Sequence, residues 1–154
     1  MSISPYIHVR AVLIIAAAAL SLAIGPCGPL PGGELSGDVV GDPVTDWSFA
    51  NEIPRCAVEV RPSSPHSVTV NCMSWQKQLY VSCSSCSGKR WSGYTIENSN
   101  GRVRMGSHVY PVSLHRVEDA AELDAVWQAR AAKLRDEDPG PRPEDWWTFR
   151  LESR

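Results

Sequence analysis

From residue 55 onward apolar side chains return at every second position, and that period decides most of what this chain can become. In "RCAVEVR" (55–61) Cys56, Val58 and Val60 share one face; in "SVTVNCM" (67–73) Val68, Val70 and Cys72 do so. "QLYVSC" (78–83) aligns Leu79, Val81 and Cys83, and "RVRMG" (102–106) aligns Val103 and Met105. "HVYPVSLHRV" (108–117) alternates Tyr110, Val112 and Leu114, and "WWTFRLE" (146–152) turns Trp147, Phe149 and Leu151 inward. A helix with 3.6 residues per turn would scatter these side chains around its circumference, whereas a strand gathers them on one face. Pro111 lacks an N–H and implies an edge or a bulge in its strand. Six short strands with polar residues between them predict a mainly β fold of the α+β class, a six-stranded antiparallel sheet closed into a small barrel over residues 47–154.

One helix interrupts the strands. In "EDAAELDAVWQARAAKLR" residues Ala120, Leu123, Trp127, Ala131 and Leu134 recur at helical spacing, so Trp127 reads as core. Asp119 with Glu122 suits the helix start, and Lys133 with Arg135 suits its negative C-terminal end.

The N-terminus has a different character. "AVLIIAAAALSLAIG" (11–25) is continuously apolar and follows a stretch whose one charge is Arg10. Fifteen residues at 1.5 Å each span roughly 22 Å, short of the ~30 Å hydrocarbon core, which fits a secretory signal better than a spanning helix. Glu34, Asp38, Asp42 and Asp46 follow with no base before Arg55, placing the C-terminal bulk outside the cytoplasm. "LAIGPC" resembles a bacterial lipoprotein signal and makes Cys27 a candidate lipidation site, against ordinary cleavage or an uncleaved anchor. The expectation is thus a signal or anchor over 1–27, a Gly/Pro/Asp-rich flexible linker over 28–46, and a domain held at the cell envelope by a membrane attachment.

Cys83 and Cys86 form a C-x-x-C in "LYVSCSSCSGKRWSG" (79–93). No amphipathic helix is legible behind it to lower a thiol pKa as in redox pairs of the thioredoxin type. Extended, the two Cα atoms would lie roughly 10 Å apart, beyond the ~7 Å limit of a disulfide. A bridge therefore requires the chain to turn within Ser84-Ser85. Structural thiols, a stabilising bridge and a redox pair all stay open. No second C-x-x-C and no H-x-x-x-H accompanies the pair, so no metal site is expected.

The chain carries a net charge of −2, yet residues 77–116 hold Lys77, Lys89, Arg90, Arg102, Arg104 and Arg116 against Glu97 alone. Arg102 and Arg104 read as an outward, solvated strand face. Lys89 and Arg90 differ, because Ser84, Ser85, Ser87 and Gly88 precede them. Hydroxyls, free N–H groups and two cations within a few residues suit a phosphate. A net acidic chain with one two-base cluster does not suit nucleic acid.

The succession "VTVNCMSW", "LYVSCSSCSGKRW", "IENSNGRVRM", "HVYPV", a helix ending in "ARAAKL" and a closing "WWTFRL" resembles the split β-barrel superfamily of pyridoxamine 5′-phosphate oxidases and deazaflavin-dependent nitroreductases, over about residues 47–152. The resemblance implies a flavin mononucleotide (FMN) or deazaflavin cofactor held by Ser84, Ser85, Lys89, Arg90 and Trp91, and a homodimer. His66 stands where the oxidases carry an arginine, and no counterpart of their C-terminal substrate-binding Arg and His is visible, so oxidation of pyridoxamine phosphate is not implied. Three functions follow as expectations, in this order: an envelope flavin- or deazaflavin-binding redox protein, a non-enzymatic envelope binding module on a barrel that has lost its cofactor, and thiol–disulfide exchange at Cys83 and Cys86.

Overall fold

A computed structural model describes residues 32–154 of the 154-residue chain. The apolar run 11–25, Cys27 and the first part of the segment 28–46 lie outside the described residues. Among those described, no helix is long and apolar enough to cross a membrane.

Seven strands and two helices follow in the order β1 (Asp38–Val39), β2 (Cys56–Val60), β3 (His66–Trp75), β4 (Gln78–Cys83), α1 (Arg90–Glu97), β5 (Asn100–Met105), β6 (His108–Arg116), α2 (Ala120–Leu134) and β7 (Trp147–Ser153). Short 3₁₀ turns occupy Ser48–Glu52 and Cys86–Gly88. Strands pair antiparallel around the ring β2-β3-β4-β7-β6-β5 and back to β2, closing the expected six-stranded barrel. The alternating side chains fill it: Val58, Val60, Cys72, Leu79, Val81, Val103, Val112, Leu114, Phe149 and Leu151 are all but fully buried.

Turn chemistry fixes the register. Gln76 and Lys77 both take positive φ, 49° and 66°, giving β3–β4 the two-residue hairpin whose twist matches its strands. Gly106, at φ 60°, opens the two-residue turn between β5 and β6. Gly101 has a different role: a Cβ there would lie 2.5 Å from the Glu59 carbonyl oxygen and 2.6 Å from Leu114 Cδ1, so the strands meet this closely only over a bare backbone.

A second cluster lies outside the barrel. Met73 and Tyr80, on the outer faces of β3 and β4, are covered by Val126 and Trp127 of α2 together with Trp146. Asp119 caps α2 as expected, its Oδ1 accepting the Glu122 N–H at 2.8 Å. The buried stripe is Val126, Trp127 and Ala131, with Leu123 packed beside it; Ala120 is exposed and Leu134, in the last turn, is 44% exposed. Trp147 is half-buried, its ring lying under the Arg116 guanidinium at 3.7 Å, and its neighbour Trp146 is the buried one.

The structure corrects several sequence expectations. Pro111 is neither an edge nor a bulge: β6 keeps β5 along one side, and on the other its partner changes from β1, ending at Val109, to β7, starting at Val112. The missing N–H falls in that gap, and the Pro111 carbonyl accepts Arg154 N–H at 3.1 Å. Arg102 is not a solvated face residue. Its guanidinium donates twice to the buried Glu59 carboxylate, at 2.9 and 2.6 Å, and once to Glu34 at 3.1 Å. From Gly32 onward the Gly/Pro/Asp-rich segment is laid along the barrel. Gly32 and Ser67 exchange both backbone hydrogen bonds, Leu35 is buried and donates its N–H to Glu59 at 2.5 Å, and β1 runs parallel to β6.

β3 spans ten residues and overhangs its neighbours at both ends. β2 reaches only Val70, so the backbone of Cys72 and Ser74 on that side is met by other groups. Asn51 bonds both ways with Ser74, at 2.8 and 3.1 Å, and Lys133 Nζ donates to the Cys72 carbonyl. β4 reaches only Asn71, which leaves His66–Val70 without a β4 partner on the other side. That open flank builds the candidate site.

Candidate anion site beside the open flank of β3

β4 ends at Cys83 and the chain turns away at once. Ser85 adopts the left-handed conformation, φ 51° and ψ 43°, so the turn within Ser84-Ser85 occurs. It brings the Cα atoms of Cys83 and Cys86 to 5.6 Å, and the two are joined as a disulfide. Cys56 and Cys72 are buried free thiols. Behind the bridge comes a helix the sequence does not reveal. α1 carries Gly93 in its centre, exposes Ile96, and buries only Trp91, Ser92 and Thr95, too short a stripe to read as a period. Ser92 Oγ donates to the carbonyls of Cys86 and Lys89, at 2.5 and 2.7 Å, fixing the 3₁₀ turn onto α1.

Between this loop and β3 lies a pocket of about 420 Å³ lined by Arg55, Val68, Thr69, Val70, Asn71, Ser82, Cys83, Ser84, Lys89 and Trp91. Of the five residues proposed from sequence, Ser84, Lys89 and Trp91 line it. Ser85 points elsewhere, its Oγ donating to Asp145 at 3.0 Å. Arg90 is not among the lining residues; it lies near His66, acting on it electrostatically. Trp91 is chiefly a core residue, 4% exposed with its ring 5.3 Å from Phe149, and gives the pocket only part of a wall.

Sequence reasoning missed Arg55, Thr69 and Asn71. Thr69 and Asn71 are the polar members of the alternating β3 run, and Asn71 pairs with Ser82 at the end of β4. Arg55 sits one residue before β2, a lone base that only the fold brings opposite Lys89. Both cations are exposed and neither joins an ion pair among the described residues. On the open flank the backbone bonds of β3 alternate: Ser67 is taken by Gly32 and Asn71 by β4, while Thr69 between them has no backbone partner on that side among the described residues. In the first turn of α1 the N–H groups of Arg90, Trp91 and Ser92 precede the first helical bond, Gly93 N–H to the Lys89 carbonyl at 3.3 Å, and of these residues Trp91 lines the pocket. Two cations with no ion pair among the described residues, three hydroxyl side chains, an amide side chain and the Thr69 N–H suit an anion such as a phosphate. Among the described residues no cluster could hold a metal ion.

His66, where β3 begins, has its pKa lowered, first by burial and then by the positive charges of Arg90 and Arg61. It is therefore neutral near pH 7, and the pocket's positive field comes from Arg55 and Lys89. A group whose folded pKa lies below its unfolded value stabilises fully above that value, here 6.5, and loses that contribution as pH falls below it. His66→Gln is expected to flatten the fall in melting temperature between about pH 7 and about pH 5, as read by thermal scans across that range.

No protein-family model matches the chain, and no curated protein matches it in sequence. Solved structures do match in shape. A Listeria innocua protein named for pyridoxamine 5′-phosphate oxidase is 11% identical over 69% of this chain and 88% of its own, with a TM-score of 0.57. A conserved hypothetical protein from Mycobacterium tuberculosis is 10% identical over 76% of this chain and 86% of its own, at 0.56. A Bacteroides thetaiotaomicron protein named for 5-nitroimidazole antibiotic resistance is 12% identical over 74% and 81%, at 0.52. At these identities the likeness shows the fold, a split β-barrel.

Proposed function

We propose that the pocket beside β3 holds the phosphate of FMN or a deazaflavin, and that the chain is a flavin-type redox protein working at the cell envelope. The observation that carries this reading is the meeting of Arg55 and Lys89, neither with an acidic partner among the described residues, around one polar pocket of a split β-barrel. Lys89 and Arg55 would pair with the phosphate oxygens, Ser84 would donate its hydroxyl, and Thr69 its backbone N–H. Bound there, a flavin supplies the hydride chemistry, and the protein's part is to bind and orient it. The solved structures named for pyridoxamine 5′-phosphate oxidase and for nitroimidazole resistance share the barrel and support this assignment. A homodimer, in which a second copy completes the cofactor's surroundings, belongs to the same reading.

Titrating the chain with FMN and with a deazaflavin, followed by visible absorbance and fluorescence quenching, tests it. Arg55→Ala and Lys89→Ala are each expected to weaken binding about tenfold, since each removes a charge-assisted contact worth roughly 1.5 kcal/mol at an exposed site. Ser85→Ala, whose hydroxyl serves Asp145, should leave affinity unchanged. A chain that takes up neither compound rejects the reading. It would favour instead a non-enzymatic envelope module binding another anion, to which the engagement of Ser85 with Asp145 and the packing of Trp91 into the core lend support.

A further inference from the structure

We infer that the Cys83–Cys86 bridge is a site of reversible thiol–disulfide exchange that sets the affinity of the anion pocket; this rests on the anion-binding reading above and adds its regulation. The bridge spans the point where β4 becomes the loop that carries Ser84 and Lys89 to the pocket. Its two sulfurs are unequally placed. Cys83 lines the pocket and is 8% exposed, whereas Cys86, the first residue of the 3₁₀ turn, is fully buried and does not line it. Attack by a thiolate therefore falls on Cys83.

A small dithiol supplies both electrons. Its first thiolate bonds to the Cys83 sulfur as the Cys83–Cys86 bond breaks, and Cys86 departs as a thiolate that takes up a proton. The second thiol of the reductant then attacks its own sulfur in the mixed disulfide. Cys83 is released as a thiol, and the reductant ends as a cyclic disulfide. One disulfide is reduced, one dithiol is oxidised, and two protons pass to the two cysteines.

The pocket senses the bridge through backbone conformation. Ser85 is held left-handed, a conformation that a residue with a Cβ adopts only when its surroundings enforce it. The short covalent ring Cys83–Ser84–Ser85–Cys86 supplies that constraint. Around Ser85 itself the noncovalent ties are few: Gly88 N–H to Ser85 at 3.4 Å, Cys86 N–H to Asp145 at 3.4 Å, and the Ser85 hydroxyl to Asp145. The Lys89 N–H and the Ser92 hydroxyl tie Cys86 to α1, so the 3₁₀ turn and α1 move together about Ser84-Ser85. Opening the ring lets Ser85 return to a common conformation. Ser84 and Lys89 then lose their fixed position opposite Arg55.

The experiment uses the full chain, air-oxidised or reduced with dithiothreitol and alkylated, with FMN as the probe. Reduction is expected to weaken FMN binding about tenfold while the far-ultraviolet circular dichroism is unchanged. Reciprocity then requires saturating FMN to lower the reduction potential of the bridge by about 30 mV, the two-electron equivalent of that factor. A Cys83→Ser/Cys86→Ser variant should bind like the reduced chain and ignore dithiothreitol; the oxidised and reduced parent serve if it fails to fold. Amide exchange gives an independent readout, in which the hydrogen-bonded amides of Cys86 and Gly88 are slow in the oxidised chain and fast in the reduced one. Equal FMN affinity together with equal exchange in the two states overturns the inference. If the oxidised chain does not bind FMN, the flavin reading falls by itself, and the amide exchange still decides whether the bridge governs the loop.

Discussion

Glu59→Ala is expected to lower the unfolding free energy by about 3 kcal/mol and the melting temperature by about 10 °C. The Glu59 carboxylate is 5% exposed and accepts three hydrogen bonds, two from the Arg102 guanidinium and one from Leu35 N–H. Removing it leaves the guanidinium with only its contact to the exposed Glu34, and the Leu35 N–H without an acceptor. A fully buried pair broken from one side costs about 3–5 kcal/mol, and the 23% exposure of Arg102 places this case at the lower end. Changing both partners to leucine should restore most of the loss, because the pair's attraction is largely offset by the cost of desolvating it. Urea unfolding of the parent, the single and the double variant checks both statements. A single variant within about 0.5 kcal/mol of the parent would mean the carboxylate is effectively solvated.

Lys133→Met is expected to cost about 2–4 kcal/mol, comparable in size but different in origin. The Lys133 ammonium donates to three backbone carbonyls, those of Ala50, Ile53 and Cys72. It reaches from α2 across to the 3₁₀ turn at Ser48–Glu52 and to the part of β3 that β2 leaves uncovered. Methionine keeps much of the stem's packing and removes all three charge-assisted bonds together. Lys133→Arg should recover only part of the loss, since a planar fork cannot serve three carbonyls that converge on a single nitrogen as an ammonium does. Guanidinium unfolding at fixed pH measures it. Full stability in the methionine variant would show that the three carbonyls are satisfied by water.

The barrel was legible because its signal is local. Each strand carries its own two-residue period, and the six runs read from sequence match β2 to β7 to within about two residues. What escaped depended on distant partners or on weak local patterns. Arg102 finds Glu59 across 43 residues and Glu34 across 68, so nothing in "NGRVRM" separates it from Arg104, which donates to the Ser36 carbonyl. Lys133, expected to serve the C-terminal end of its own helix, reaches 61 residues back to Cys72. α1 was hidden by Gly93 and by a stripe of barely one turn. Within the site, Ser84 and Lys89 were readable because they follow one another on a single loop. Arg55 was not, because only the pairing of β2 with β3 carries it to the same pocket.

The docking of residues 32–46 has a consequence for where the chain can be cut. A fragment starting at Trp47 would retain every barrel strand and look complete by its pattern. It would nonetheless strip Ser67 of Gly32, Glu59 of the Leu35 amide, β6 of its parallel neighbour and Ser153 of the Val44 amide. The smallest cooperative unit of this protein therefore begins upstream of its barrel, and residues 32–46 act as a hoop around a cask whose staves are already in place.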